Sequence, residues 1–204
     1  MKSILIIGME HFGKQLASRL MALGNDVMIV DKNEKIIDEI SPIFTDSQIG
    51  DCTNEGVLRS LGIANFDICF VAIGADFQSS MEITSMLKEL GAKHVVSKAK
   101  TERQAKLLKK IGADDVIYPE REIAEKLAVR YSADNIFDYI ELTGEYSIFE
   151  VPILADWIGQ TIAAVEVRRK HKVNIIAIKR ENNLQPMPGA DYIFREGDHV
   201  VVIG

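Results

Sequence analysis

The chain opens on an uninterrupted apolar run, Ile4-Leu5-Ile6-Ile7; further apolar strands are expected at Val27–Val30, Ile68–Ala72, His94–Ser97 and Asp115–Ile117, and one more short strand near Phe44 to Ile49. Between most of them the chain reads as helix, and Leu23-Gly24, Leu61-Gly62, Leu90-Gly91 and Ile111-Gly112 each close such a stretch. A glycine just past a helix end supplies the left-handed cap. Short apolar strands alternating with helices predict a parallel sheet covered by helices on both faces, here with six strands up to Pro119. The fold class is therefore α/β: a doubly wound, Rossmann-like sheet.

The first strand–turn–helix–strand unit carries the chemistry. Gly8-Met9-Glu10-His11-Phe12-Gly13 joins the first strand to its helix, and Asp31 ends the second strand. In the dinucleotide fingerprint G-x-G-x-x-G the first glycine makes the turn, the second admits the pyrophosphate and the third lets helix and strand pack closely. Gly8 and Gly13 fill the first and third places; Glu10 stands in the second. Its carboxylate must lie against the phosphates or swing away from them. Helix N–H groups above the turn favour an anion. An acid at Asp31 suits free ribose hydroxyls, so NAD or an adenosine nucleotide is expected rather than NADP. The alternative is a fold whose site has decayed and binds nothing.

Ligands of such sheets sit over the carboxyl ends of the strands. Those ends bring in Lys32 after the second strand, Gly50-Asp51-Cys52-Thr53 after the third, Ile73-Gly74-Ala75-Asp76 after the fourth, Lys98 after the fifth and Glu120 after the sixth. Asp51 either reads adenine or ribose or caps the helix that starts near Asn54, a task for which Thr53 competes. Lys98 either pairs with a phosphate or is a solvated loop lysine.

Past Glu120 a helix is expected to about Tyr131, with Ile123, Ala124, Leu127, Ala128 and Tyr131 on one face. Ser132-Ala133-Asp134-Asn135 breaks the pattern as a linker. From Tyr139 the character changes to alternating strands at Tyr139–Thr143 and Tyr146–Val151, a short helix near Ile158, one helix over Ala164–His171, then strands at Asn174–Lys179 and His199–Ile203. The expected division is 1–134, a nucleotide-binding domain with its last helix, and 135–204, a small α+β domain that would be marginal alone and is expected to dimerise.

Composition narrows the function. The chain has 204 residues, 47% of them hydrophobic, enough for one large domain and a small appendage. Net charge is −6 and the densest basic stretch is Arg168-Arg169-Lys170, so no nucleic-acid partner is expected. Cys52 and Cys69 have no metal or redox spacing and read as packing residues in a reducing cytoplasm. No apolar run approaches the ~20 residues of a membrane span, and the N-terminus enters a strand directly, so neither span nor signal peptide is expected. The histidines are scattered, and no nucleophile–base pair, metal-ligand set or carboxylate pair stands out; catalysis is not expected.

The combination of glycine turn, Asp31, Gly50-Asp51-Cys52-Thr53, Lys98-Ala99 and Tyr118-Pro119-Glu120-Arg121 resembles the Trk/Ktr-type potassium uptake regulatory subunits, built from an RCK N-terminal and an RCK C-terminal domain. The resemblance covers the whole chain. It implies binding of NAD(H) or ATP/ADP/AMP at the glycine turn and the acid, with the third-strand turn at the adenine. It also implies that the helix after Glu120 crosses to a second subunit, that the chain forms a homo-oligomeric, dimer-built ring, and that the ring sits on a membrane potassium channel or transporter from the cytoplasmic side. The family usually reads G-x-G-R-F-G; here Glu10 and His11 replace glycine and arginine, and a mostly neutral histidine is a weaker phosphate partner. Some members bind cyclic di-AMP in the C-terminal domain, and the matching residues here are Arg168, Asn174, Ile175, Ile176 and Pro188. The plain alternative makes these a strand, its core and a surface arginine. The expected function is a nucleotide-sensing regulatory subunit. The alternatives are an NAD-dependent oxidoreductase or other small nucleotide-binding enzyme, and a subunit that responds only through its C-terminal domain.

Overall fold

Strand β1 (Ser3–Ile7) shows why the first unit is built as it is. Leu5 and Ile7 enter one core together with Val30, Leu58, Val71, Leu87 and Val95. Ile4 and Ile6 enter another, on the opposite face, with Val27, Ile29, Ile37 and Phe44. Side chains alternate across a strand, so burial on both faces requires an unbroken apolar run.

The computed structural model describes all residues except Thr45, 133–136, Gly144 and Asn182. The chain divides into two compact units, Met1–Glu120 and Arg121–Gly204. The boundary expected at 134/135 and most of the linker expected there lie outside the described residues.

In the first unit β1 is followed by α1 (His11–Ala22), β2 (Asp26–Asp31), α2 (Glu34–Ile40), β3 (Asp46–Ile49), α3 (Glu55–Leu61), β4 (Ile68–Val71), α4 (Phe77–Glu89), β5 (Val95–Lys98), α5 (Glu102–Lys110) and β6 (Asp115–Ile117). The strands are parallel, in the order β3-β2-β1-β4-β5-β6. The chain runs from β1 out to β3 on one side and then crosses back to β4 on the other, so a crevice opens above the ends of β1 and β4. Gly24, Gly62, Gly91 and Gly112 all have positive φ, as the four Leu/Ile-Gly phrases require. Both cysteines are free and buried, in agreement with a packing role.

One buried group in this unit lacks a partner. Thr84 Oγ1 donates to the Ser80 carbonyl and meets Ser97 Oγ at 2.8 Å, but the Ser80 hydroxyl, itself fully buried, has no hydrogen-bond partner among the described residues. An orphaned hydroxyl pays its desolvation without return. Ser80→Ala is therefore expected to hold or raise stability, by up to about 1 kcal/mol, read as a higher urea midpoint at unchanged slope.

Past β6, helix α6 spans Pro119–Ser132 and buries none of its residues; Ile123 and Tyr131 are 57% and 78% exposed. The second unit continues with β7 (Asp138–Glu141), β8 (Ser147–Pro152), a single 3₁₀ turn at Ala155–Trp157, α7 (Ile162–Val165), α8 (Val167–His171), β9 (Asn174–Arg180), β10 (Asn183–Pro186) and β11 (His199–Ile203). Its sheet is antiparallel, in the order β10-β9-β11-β8-β7. Trp157, Val165, Val167, Ile178, Phe194, Val200 and Val202 form its core.

Three expectations change here. The single helix expected over Ala164–His171 is two helices, because Glu166 takes a left-handed conformation at φ 52° between them. The helix near Ile158 is the 3₁₀ turn, and β10 is an additional edge strand. In β9 the pairing slips: Val201 faces Ala177 and Val202 faces Ile175, so Ile176 is the extra residue of a β-bulge.

Candidate functional site

The crevice above β1 and β4 holds a cleft of about 220 Å³. Its floor and walls come from the ends of the strands and the turns after them: Gly8 and Glu10, Asp31 to Asn33, Gly50 to Thr53, Ile73, and Ala75-Asp76.

The first turn is fixed by backbone proximity. Gly8 sits at φ 97°, and a Cβ there would stand 2.9 Å from Ile73 Cγ1. Gly13 is tighter still: a Cβ would stand 2.0 Å from the Gly8 carbonyl oxygen. Helix α1 thus rests directly on the end of β1, and only glycine permits the approach. The Met9 side chain is fully buried, and its N–H donates to Asp31 Oδ2 at 2.6 Å. The Asn33 N–H donates to Asp31 Oδ1 at 2.8 Å. One carboxylate therefore ties the glycine turn to the end of β2.

Glu10 precedes α1 in extended backbone, and its side chain accepts no capping hydrogen bond. Its carboxylate instead reaches toward the turn after β4. Oε2 lies 3.1 Å from the place a Cβ on Gly74 would occupy, a point that Lys98 Nζ approaches to 3.7 Å. Lys98 is largely buried and not a solvated loop lysine: its ammonium lies 2.9 Å from Glu120 Oε1 and 5.3 Å from the centre of the Phe12 ring. The hydrogen bond from Lys98 holds the Glu120 carboxyl below its ordinary range.

The third-strand turn is braced by Asp51, which accepts from the Thr53 hydroxyl at 2.7 Å and the Thr53 N–H at 3.0 Å. These bonds hold the Asp51 carboxyl below its ordinary range. Neither residue caps α3; Asn54 does, accepting from the Gly56 N–H. Burial pushes the Cys52 thiol up to about 12, so it enters the core as a neutral group. Asp76 caps α4 and accepts from the Ser79 hydroxyl at 2.6 Å and the Ser79 N–H at 3.1 Å, which hold its carboxyl low as well.

Of the residues singled out in the sequence, Gly8, Glu10, Asp31, Lys32, Asp51, Cys52, Thr53 and Ile73 line this cleft. Gly13 and Met9 lie beneath it as support. Gly74, Lys98, Phe12 and Glu120 group beside Glu10, and His11 is exposed at the start of α1. Asn33, Ile36 and Ser79 also line the cleft and were not anticipated. They lie beyond the strand ends, in the turn and helices that follow. His94 pairs with Asp115 at 2.8 Å just before the amino end of β5, at the end of the strands away from the cleft, so of the histidines in this unit only His11 is near the cleft. No cluster of three or more potential metal ligands occurs among the described residues.

In the second unit a cavity of about 410 Å³ is lined by Arg168, Asn174, Ile175 and Pro188, with Ile162 and Val167. Ile176 does not line it; as the bulge residue it is 36% exposed.

The TrkA-N domain model matches residues 4–119 and the TrkA-C domain model residues 146–204. The chain belongs to the TrkA family of potassium uptake proteins. Within that family it is 37% identical to Ktr system potassium uptake protein C of Bacillus subtilis, over all of this chain and 92% of that protein. It is 36% identical to Ktr system potassium uptake protein A of the same organism, over all of this chain and 91% of that protein. Among solved structures the whole of this TrkA-family chain superposes on 45% of the GsuK RCK domain with a TM-score of 0.70 at 19% identity, a likeness of fold. The GsuK channel bound to NAD matches over 37% of its chain with a TM-score of 0.71 at 19% identity. A GsuK structure bound to ADP matches 63% of this chain and 34% of its own, with a TM-score of 0.56 at 20% identity. No described helix is long and apolar enough to cross a membrane.

Proposed function

We propose that this chain is a non-catalytic, nucleotide-responsive regulatory subunit of a membrane potassium uptake system, acting from the cytoplasmic face. The observation that carries the reading is the cleft over β1 and β4, with the glycine turn on one side and Asp31 on the other. An adenosine ribose placed there meets Asp31, and its phosphates meet the start of α1. NAD(H) and the adenine nucleotides ATP, ADP and AMP are the ligand class, in line with GsuK structures bound to NAD and to ADP. The exposed apolar face of α6, with Ile123, Leu127 and Tyr131, supports assembly with a second copy of the chain into a dimer-built ring. A nucleotide that binds one ring geometry more tightly than another shifts the ring toward it, and the membrane partner reads the change. Among the described residues no histidine lines the cleft, which argues against an oxidoreductase that uses an imidazole as general acid–base.

A thermal-shift panel with NAD⁺, NADH, ATP, ADP and AMP tests this reading, because a ligand of the folded state raises the melting temperature by mass action. At least one nucleotide is expected to stabilise the protein. Asp31→Ala removes the ribose acceptor and releases the Met9 and Asn33 N–H groups; it should weaken that nucleotide about 30-fold, roughly 2 kcal/mol. Unchanged affinity would remove Asp31 from the site.

A second reading rests on the cavity of the second unit. Arg168 and Asn174 offer donors and Ile175 and Pro188 offer apolar surface, which suits cyclic di-AMP. Including that dinucleotide in the panel separates the two sites: stabilisation by it alone would move sensing to the second unit.

A further inference from the structure

We propose that Glu10 makes the cleft select nucleotides by charge, so that it takes NAD⁺ and AMP readily and accepts a nucleoside triphosphate only with a divalent cation. This rests on the nucleotide reading above and specifies which members of that class the site admits.

Glu10 occupies the place where the fingerprint needs a bare backbone for the pyrophosphate to approach. Its side chain accepts none of the leading N–H groups of α1, so it does not earn its position as a helix cap. Instead it leans from the first turn to Gly74, across the crevice that a phosphate chain must cross. The wall around it is already acidic: Glu10, Asp31, Asp51 and Asp76 line the cleft against one lysine, Lys32. Hydrogen bonds from Thr53 and Ser79 hold the Asp51 and Asp76 carboxyls below their ordinary range.

Two further lysines approach the same point on Gly74, Lys100 with its Cε at 3.3 Å and Lys98 with its Nζ at 3.7 Å, but neither lines the cleft. Lys98 is bound to Glu120 at 2.9 Å and covered on one side by Phe12, so its charge is shared before any ligand arrives. A phosphate chain entering the cleft therefore meets unbalanced negative charge, and the repulsion grows with each phosphate charge. NAD⁺ has two diester phosphate charges partly offset by its nicotinamide cation. AMP has a single phosphate group, and free ATP carries the most charge of the three. A divalent cation on the ATP phosphates removes much of the difference and gives Glu10 a partner.

The test is calorimetric titration of the full chain and of Glu10→Gln with NAD⁺, AMP and ATP, each in EDTA and in Mg²⁺. Glutamine keeps the size and removes the charge. For the unaltered chain in EDTA, NAD⁺ and AMP are expected to bind at least about tenfold more tightly than ATP, and Mg²⁺ should recover about tenfold for ATP. Glu10→Gln should strengthen ATP about tenfold in EDTA, AMP about threefold and NAD⁺ least, and should shrink the Mg²⁺ effect. An equal change for all three ligands, or none, overturns the proposal while leaving nucleotide binding in place. If neither protein binds any of the three, the nucleotide reading falls and the proposal with it.

Discussion

Gly13→Ala should abolish nucleotide-induced stabilisation and lower the stability of the first unit by about 3 kcal/mol, the upper part of the usual range for overpacking. The cause is local. The added methyl would stand 2.0 Å from the Gly8 carbonyl oxygen and 3.1 Å from the Gly8 carbonyl carbon. Both atoms are backbone, so no rotamer change relieves the clash. Helix α1 must lift off the end of β1, carrying the Glu10 turn and the helix N–H groups away from the cleft. Gly24→Ala is the control. A Cβ there meets nothing within 4 Å, but φ is 80°, so only left-handed strain of about 1–2 kcal/mol is added and the nucleotide response should persist. Urea titration followed by far-UV circular dichroism, with and without nucleotide, measures both. A Gly13→Ala protein that still answers to nucleotide would mean that the ligand does not use the α1 turn.

The second unit has a comparable weak point at Asp198. Its side chain is fully buried, and both oxygens are occupied. Oδ1 accepts from Arg180 Nε at 2.8 Å; Oδ2 accepts from the Tyr192 hydroxyl at 2.9 Å and the Arg195 N–H at 2.8 Å. Asp198→Ala strands all of these donors just ahead of β11, the central strand of the sheet. The expected loss is about 3 kcal/mol. Asp198→Asn keeps the shape and one acceptor oxygen and should lose less. Trp157, the only tryptophan in the chain, sits in this unit's core and reports its unfolding directly by fluorescence. An unchanged tryptophan transition in Asp198→Ala would show that the network adds nothing to stability.

How far the molecule is legible in its sequence depends on where burial leaves a pattern. The first sheet was readable because its inner strands, β1 above all, are covered on both faces, which forces apolar runs such as Ile4–Ile7. The second unit was less so. All four residues of β10 are exposed, so Asn183–Pro186 shows no alternation to detect. The break between α7 and α8 leaves the apolar positions Val165 and Val167 in place, and only the backbone of Glu166 marks it. At the cleft, the glycine turn and Asp31 were legible because spacing alone defines them. The condition of Lys98 was not, since Phe12 and Glu120 come to it from distant parts of the chain. Asn54 rather than Asp51 or Thr53 caps α3, a choice among neighbouring polar residues that sequence does not decide.

The double grip of Asp31 also bears on the speed of recognition. Its two oxygens hold the Met9 and Asn33 N–H groups before any ligand is present. The glycine turn therefore has no disorder to lose on meeting a nucleotide, and the encounter need not wait for a loop to fold. Association should proceed at the pace of diffusion and orientation, and differences among nucleotides should appear in how long each one stays.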